Sequence, residues 1–151
     1  MKKYLLIAII AFGFIAESKA QSVEYKVLTS VESIVPMGIG RSRLIEENDQ
    51  IEADNFTTVR TDGKKSRQSS VKRSDAKVKQ FSETKLLNFY SVAGINFQNI
   101  ASNDALLSSK INKLTEAGWE LAFVSSGVES DSGKGDGKGI FITRYIFKRI
   151  N

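Results

Sequence analysis

The chain has 151 residues, 22 Lys and Arg against 17 Asp and Glu for a net charge of +5, and neither cysteine nor histidine. Those two absences remove a disulfide framework, the commonest general base near neutral pH and the commonest ligand of zinc, copper or nickel. What remains is a globular composition with enough chain for a single domain.

Residues 1–20 read as a cleavable export signal. Lys2 and Lys3 give a positive start, Tyr4 to Ala16 is an apolar run, and Ser18-Lys19-Ala20 sets small side chains where a signal peptidase reads. The run is shorter than the roughly 20 residues a membrane span needs. Cleavage is expected after Ala20, which leaves residues 21–151 as one domain, periplasmic or secreted and without a transmembrane segment. Losing Lys2, Lys3, Lys19 and Glu17 lowers the net charge from +5 to +3.

Val23, Tyr25, Val27, Thr29 and Val31 alternate with Glu24, Lys26 and Ser30, the pattern of a strand half-buried on its valine side. Val35-Pro36-Met37-Gly38-Ile39-Gly40 holds the only proline and should turn the chain. A weaker strand is expected over 41–47. Asn55 to Thr61 can form a short strand before Asp62-Gly63, a good hairpin turn signal. From about 62 to 82 the chain is polar and basic, and reads as an inserted mobile loop or irregular hairpin extension. Leu86 to Tyr90 reads as another strand, with a helical turn as the alternative. Ser102-Asn103-Asp104 offers side chains to cap a helix that carries Leu107, Ile111 and Leu114 at helical spacing. Gly118 should close that helix in the left-handed conformation, with Trp119 folding back on Leu114. Trp119, Leu121 and Phe123 then alternate into a strand to about Gly127. A glycine-rich loop over 130–139 follows, and a last strand over 140–150 makes the hairpin. The expected fold is α+β: an antiparallel sheet of four to five strands, one main helix packed on one face, and a C-terminal helix-strand-hairpin unit.

Three of these segments carry short motifs: Glu24-Tyr25-Lys26-Val27, Gly118-Trp119-Glu120-Leu121 and Tyr145-Ile146-Phe147-Lys148-Arg149. In them the chain resembles a small bacterial family known only as a domain of unknown function, here in an exported Bacteroidetes-type protein with a long insertion. The resemblance spans the first strand and residues 105–149. It implies the same fold and an envelope location, and carries no site residues.

Candidate chemistries are few. S-x-x-K occurs at Ser69/Lys72, Ser74/Lys77 and Ser82/Lys85, all in polar sequence where no burial would depress a lysine pKa. Glu46, Glu47, Asp49, Glu52 and Asp54 form an acidic patch, and Asp131 and Asp136 stand in the glycine loop; neither has the spacing of a calcium loop. The glycine loop also lacks the helix a phosphate-binding loop must open. Gly40-Arg41-Ser42-Arg43 reads as part of a turn before it reads as a partner-binding loop. No catalytic residue, cofactor or metal is expected, and an acid-only hydrolase is the weakest alternative.

The positive signal is charge. Between Arg60 and Gln80 stand eight Lys and Arg and two Asp, a net of +6 in a mature chain of +3. Lys64, Lys65, Arg67, Lys72, Arg73, Lys77 and Lys79 are the candidate contacts for a polyanion such as lipopolysaccharide or an anionic glycan. No aromatic residue interleaves them, so specific nucleic-acid binding is not expected. The reading is a non-enzymatic binding or scaffolding domain of the cell envelope, whose partner is such a polymer or an envelope protein.

Overall fold

A computed structural model describes residues 21–35, 41–129 and 139–151. The main sheet has five antiparallel strands: β1 (Val23–Ser33), β2 (Arg43–Glu47), β3 (Phe81–Lys85), β6 (Glu120–Glu129) and β7 (Ile140–Ile150), in the order β3-β2-β1-β7-β6. β4 (Tyr90–Ser91) and β5 (Gly94–Ile95) make a two-stranded hairpin that leads into the one described helix, α1 (Phe97–Glu116). The expected α+β sheet with one main helix is present, and so is the C-terminal hairpin. The Pro36–Gly40 turn and the 130–138 loop, with Asp131 and Asp136, lie outside the described residues.

β1 sits at the centre because its eleven residues pair along their whole length with β7, Val23 opposite Ile150 and Ser33 opposite Ile140. The side buried against the helix is the reverse of the one its valines suggested. Leu28 is fully buried and Ser30 nearly so, while Val23 and Tyr25 are 48% and 66% exposed. Register explains the choice. Leu28 lies opposite Tyr145, and its strand neighbour Lys26 lies opposite Phe147, so this face gathers the large side chains that α1 can cover. Leu28, Leu44, Leu86, Leu114, Trp119 and Phe147 form the core, with Leu107, Ile111 and Tyr145 packed against it. Burying a side chain such as Phe147 or Leu28 in full contributes about 1.5–3 kcal/mol. The valine side also carries Ile45, Ile142 and Ile146, and α1 does not cover it.

α1 begins five residues before the expected cap. Its cap is Asn96, whose side chain accepts from the Asn99 amide at 3.1 Å. The first turn showed no helical periodicity because it faces solvent; Phe97 is 76% exposed. Asn103, expected at the helix start, is instead buried in its second turn. It accepts from the Leu87 amide (2.8 Å), donates to the Leu87 carbonyl (2.8 Å) and donates to Glu32 Oε1 (3.0 Å). One side chain thus ties the helix to β1 and to the chain leaving β3. Leu86 to Phe89 is accordingly not strand: β3 ends at Lys85, β4 starts at Tyr90, and Leu87 between them spends its backbone groups on Asn103 rather than on a neighbouring strand.

The helix end follows the expected form. Gly118 has φ +85°, the Trp119 amide donates to the Leu114 carbonyl at 3.0 Å, and Trp119 is buried beside Leu114. The alternation expected for β6 fails at one point. A bulge between Leu121 and Phe123 sets them opposite Phe147 and Ile146, hence on opposite faces.

Candidate functional site

All seven candidate cations lie in one connection, residues 48–80, which joins β2 to β3. Its root is closed as a hairpin. The Asn48 amide donates to the Gln80 carbonyl (3.2 Å), and the Asn48 side chain donates to Ser82 Oγ (3.0 Å). Asp49 then accepts from the amides of Lys79 and Gln80, both at 2.8 Å. A carboxylate that receives two backbone N–H groups fixes the direction in which the chain leaves and re-enters the sheet.

Beyond the root the path is irregular. No strand forms over 55–61; Ala53–Phe56 is a single 3-10 turn, because this stretch has no partner strand and no residue of 50–80 is buried. Asp62 and Gly63 do make the tight turn, with φ 56° and 62° and the Lys64 amide donating to the Thr61 carbonyl (3.3 Å). A second 3-10 turn, Gln68–Ser70, starts after Arg67. The Gln68 side-chain amide reaches the Phe56 carbonyl (3.4 Å) and Thr58 Oγ1 (2.9 Å), tying the two halves of the connection together.

Lys64, Lys65, Arg67, Lys72, Arg73, Lys77 and Lys79 are all exposed. Among the described residues none of the seven is in an ion pair. Lys64 and Lys65 share an open concavity with Gly63 and with Arg60, a cation that belongs with the set and that only the turn at Asp62-Gly63 brings beside them. Lys72 lines a second shallow concavity with Asn55, Phe56 and Asp75. The seven therefore form a spread, solvated array, and the structure does not gather them into one enclosed pocket.

The other constellations separate. Ser82 and Lys85 stand three residues apart on β3, so their side chains leave opposite faces of the strand. Glu46 and Glu47 likewise alternate. Glu46 pairs with Lys26 at 3.0 Å and with Lys110; burial raises its pKa, but the two ammonium groups outweigh that and hold it below the ordinary carboxylate value. Asp49 is spent on the hairpin root. Among the described residues no group of three acids is placed to hold a metal ion. Ser42 of the arginine-flanked turn is buried, accepting from the Ser33 amide and donating to Asn88 Oδ1, both at 2.9 Å.

A cleft of about 400 Å³ opens beside the root, between residues 47–50 and Glu24, Tyr25, Lys26, Trp119 and Arg149. The Arg149 guanidinium stands 4.5 Å from the Trp119 ring centre and the Lys26 ammonium 5.7 Å. Arg149 also binds Glu24 at 2.8 Å and holds that carboxyl below its ordinary value. Both cations of the cleft are thus committed to acids, so it offers an anion little. Acidity is shifted the other way under α1, where burial pushes Glu32 and Tyr145 up. Neither residue stood out in the sequence as a candidate for acid–base chemistry, since one Glu and one Tyr in a strand carry no spacing signal.

No family model matches the chain, and no curated protein and no solved structure matches it either.

Proposed function

We propose that the protein is a non-enzymatic binding module of the cell envelope, exported through its N-terminal signal, whose working surface is the cationic 60–80 segment. Its ligands on this reading are anionic polymers, lipopolysaccharide or acidic glycans. One observation carries the reading: seven exposed cations, none of them in an ion pair among the described residues, stand on a connection clamped at its root. Elsewhere Lys26, Arg43, Lys110, Lys148 and Arg149 are paired with acids of their own chain. Free cations keep their charge for a partner, and a spread array suits a repeating polymer better than a small molecule.

The test is binding of residues 21–151 to lipopolysaccharide, heparin and duplex DNA at low and near-physiological salt. A variant with Lys64, Lys65, Arg67, Lys72 and Arg73 changed to Gln runs beside it. The proposal expects affinity for the first two that falls with salt, survives the physiological value and disappears in the variant. Equal binding by the variant, or none by either protein, would overturn it. The five positions are exposed, so the variant should melt with the parent.

A further inference from the structure

The two edges of the main sheet are built differently. β3 is five residues long, carries Glu83 and Lys85, and is flanked by the 48–80 connection. β6 is ten residues long and entirely exposed. From Leu121 to Val128 it has no charged residue, and Leu121, Phe123, Val124 and Val128 are 40%, 61%, 43% and 60% exposed. An edge of this length and polarity presents a row of unpaired backbone donors and acceptors that only another extended chain satisfies.

We infer that β6 pairs with β6 of a second copy of this chain, antiparallel across a two-fold axis at Ser126, to make a continuous ten-stranded sheet. The register follows from the strand. The bulge at Ala122 ends regular geometry on one side, so the regular run is Phe123–Glu129. A two-fold axis normal to the sheet keeps each side chain on its own face, and full overlap of seven residues is reached only about the middle one. Ser126 then faces Ser126 of the second copy, and Val124 faces its Val128 twice over. Both valines point to the helix side, as their partners Tyr145 and Phe141 on β7 fix. Paired β-branched residues are among the better cross-strand contacts.

Charge supports the same register. Glu129 of the second copy falls opposite Phe123, on the open side of the sheet. Arg144, the β7 partner of Ser125, projects from that side and is exposed. Among the described residues neither Arg144 nor Glu129 has an ion-pair partner in its own chain. Two strand spacings, about 10 Å, separate their backbones sideways and two residues, about 7 Å, along the strand, a span of about 12 Å that an arginine and a glutamate extended toward each other can bridge. Each copy supplies one cation and one anion, so the junction has two such pairs.

The absence of cysteine makes the test clean. Residues 21–151 hold every described strand, the helix and the core, and are the chain to use. In the Ser126 register a Ser126→Cys variant sets two thiols on opposed residues about 4.5–5.5 Å apart at Cα, within disulfide range. Ser125→Cys sets them on a diagonal about 8 Å apart, beyond it. Mild oxidation should therefore link Ser126→Cys into a dimer and leave Ser125→Cys unlinked. In sedimentation the unmodified chain should show a concentration-dependent dimer. Val124→Lys with Val128→Lys opposes like charges and should weaken it at least about tenfold. Val124→Lys with Val128→Glu places opposite charges in each pair and should restore it. A wild-type monomer at millimolar concentration, a dimer that survives the double lysine change, or equal cross-linking of both cysteine variants would overturn the inference. The first of those outcomes would assign the edge to a strand from another protein.

Discussion

The two edges of one sheet face the same hazard with opposite chemistry. β3 is short and charged, Glu83 is paired to Arg43 at 2.7 Å, and its start is clamped by Asn48 and Asp49. β6 is long, uncharged from Leu121 to Val128 and bordered by charge only at Glu120 and Glu129. Both are held by their inner neighbours, so folding does not require the difference. An edge stays bare at a cost in solubility unless something covers it, whereas a guarded edge is free to carry other work. On this comparison the β3 side presents the solvated cationic connection and the β6 side presents backbone.

The largest expected effect breaks the β3 side. Asn103→Ala removes the acceptor of the Leu87 amide and the donor to its carbonyl, leaving buried polar groups unmet. The cost should be about 2–3 kcal/mol, read as a loss of denaturant midpoint without a change in slope. Amide exchange should accelerate first at Leu86 to Asn88, before it does in β6. A uniform acceleration would mean that Asn103 supports the whole fold and that the two edges are not separately held.

A smaller effect should sharpen the contrast. Asp49→Ala frees the amides of Lys79 and Gln80 at the root of the connection, for about 1 kcal/mol, since both of those residues are exposed and water can take up their amides. Exchange should rise across β3 and the root and stay unchanged in β6. Polyanion binding by the cations should weaken by less than in the five-glutamine variant, because the charges remain and only their direction is loosened. Unchanged exchange at β3 would show that the Asn48 bonds alone hold that edge.

The smallest effect is electrostatic. Burial raises the pKa of Glu32 above its unfolded value, against the stabilising hydrogen bond from Asn103. A raised carboxyl favours folding fully below the ordinary carboxylate pKa, and that contribution is lost as pH rises through the folded value. Glu32→Gln should therefore match the parent near pH 4 and be the more stable of the two at pH 7. Thermal melts at the two pH values read the difference directly, and a variant less stable at pH 7 would refute the assigned cause. Glu46, held low by Lys26 and Lys110, acts in the opposite direction, its contribution lost as pH falls through its folded value, and it cancels in the comparison of variant with parent.

Much of the C-terminal half was legible because its signals are local. The glycine at position 118 and the tryptophan after it are one cap, completed within six residues, and the last strand is an unbroken run of eleven residues rich in β-branched and aromatic side chains. The N-terminal errors share a cause. β1 carries its valines on one side and only Leu28 as an apolar residue on the other, so periodicity marks the strand but points to the side that the helix does not take. The opposed Tyr145 and Phe147 decide it. Asn103 has the side chain of a cap and the position of a core residue, and only the folded neighbours Leu87 and Glu32 tell the two apart.

The cationic segment was legible as charge and not as shape. The seven residues, and the net of +6 that the segment from Arg60 to Gln80 carries, come from counting, since solvated lysines need no partner to be recognised. Their spread along a clamped connection, and the addition of Arg60 at the turn, depend on hydrogen bonds that Asn48 and Gln68 donate and Asp49 accepts across 10 to 34 positions of chain.

By itself the sequence determined the elements whose causes lie within a turn or a strand: the helix end at Gly118, the final hairpin, and the absence of any histidine or cysteine chemistry. The tertiary structure decided which face of β1 is buried, what Asn103 does, and that β6 ends the sheet as an open edge. Those outcomes follow from pairing between distant strands, where a shift of one residue exchanges the two faces and every side chain with them.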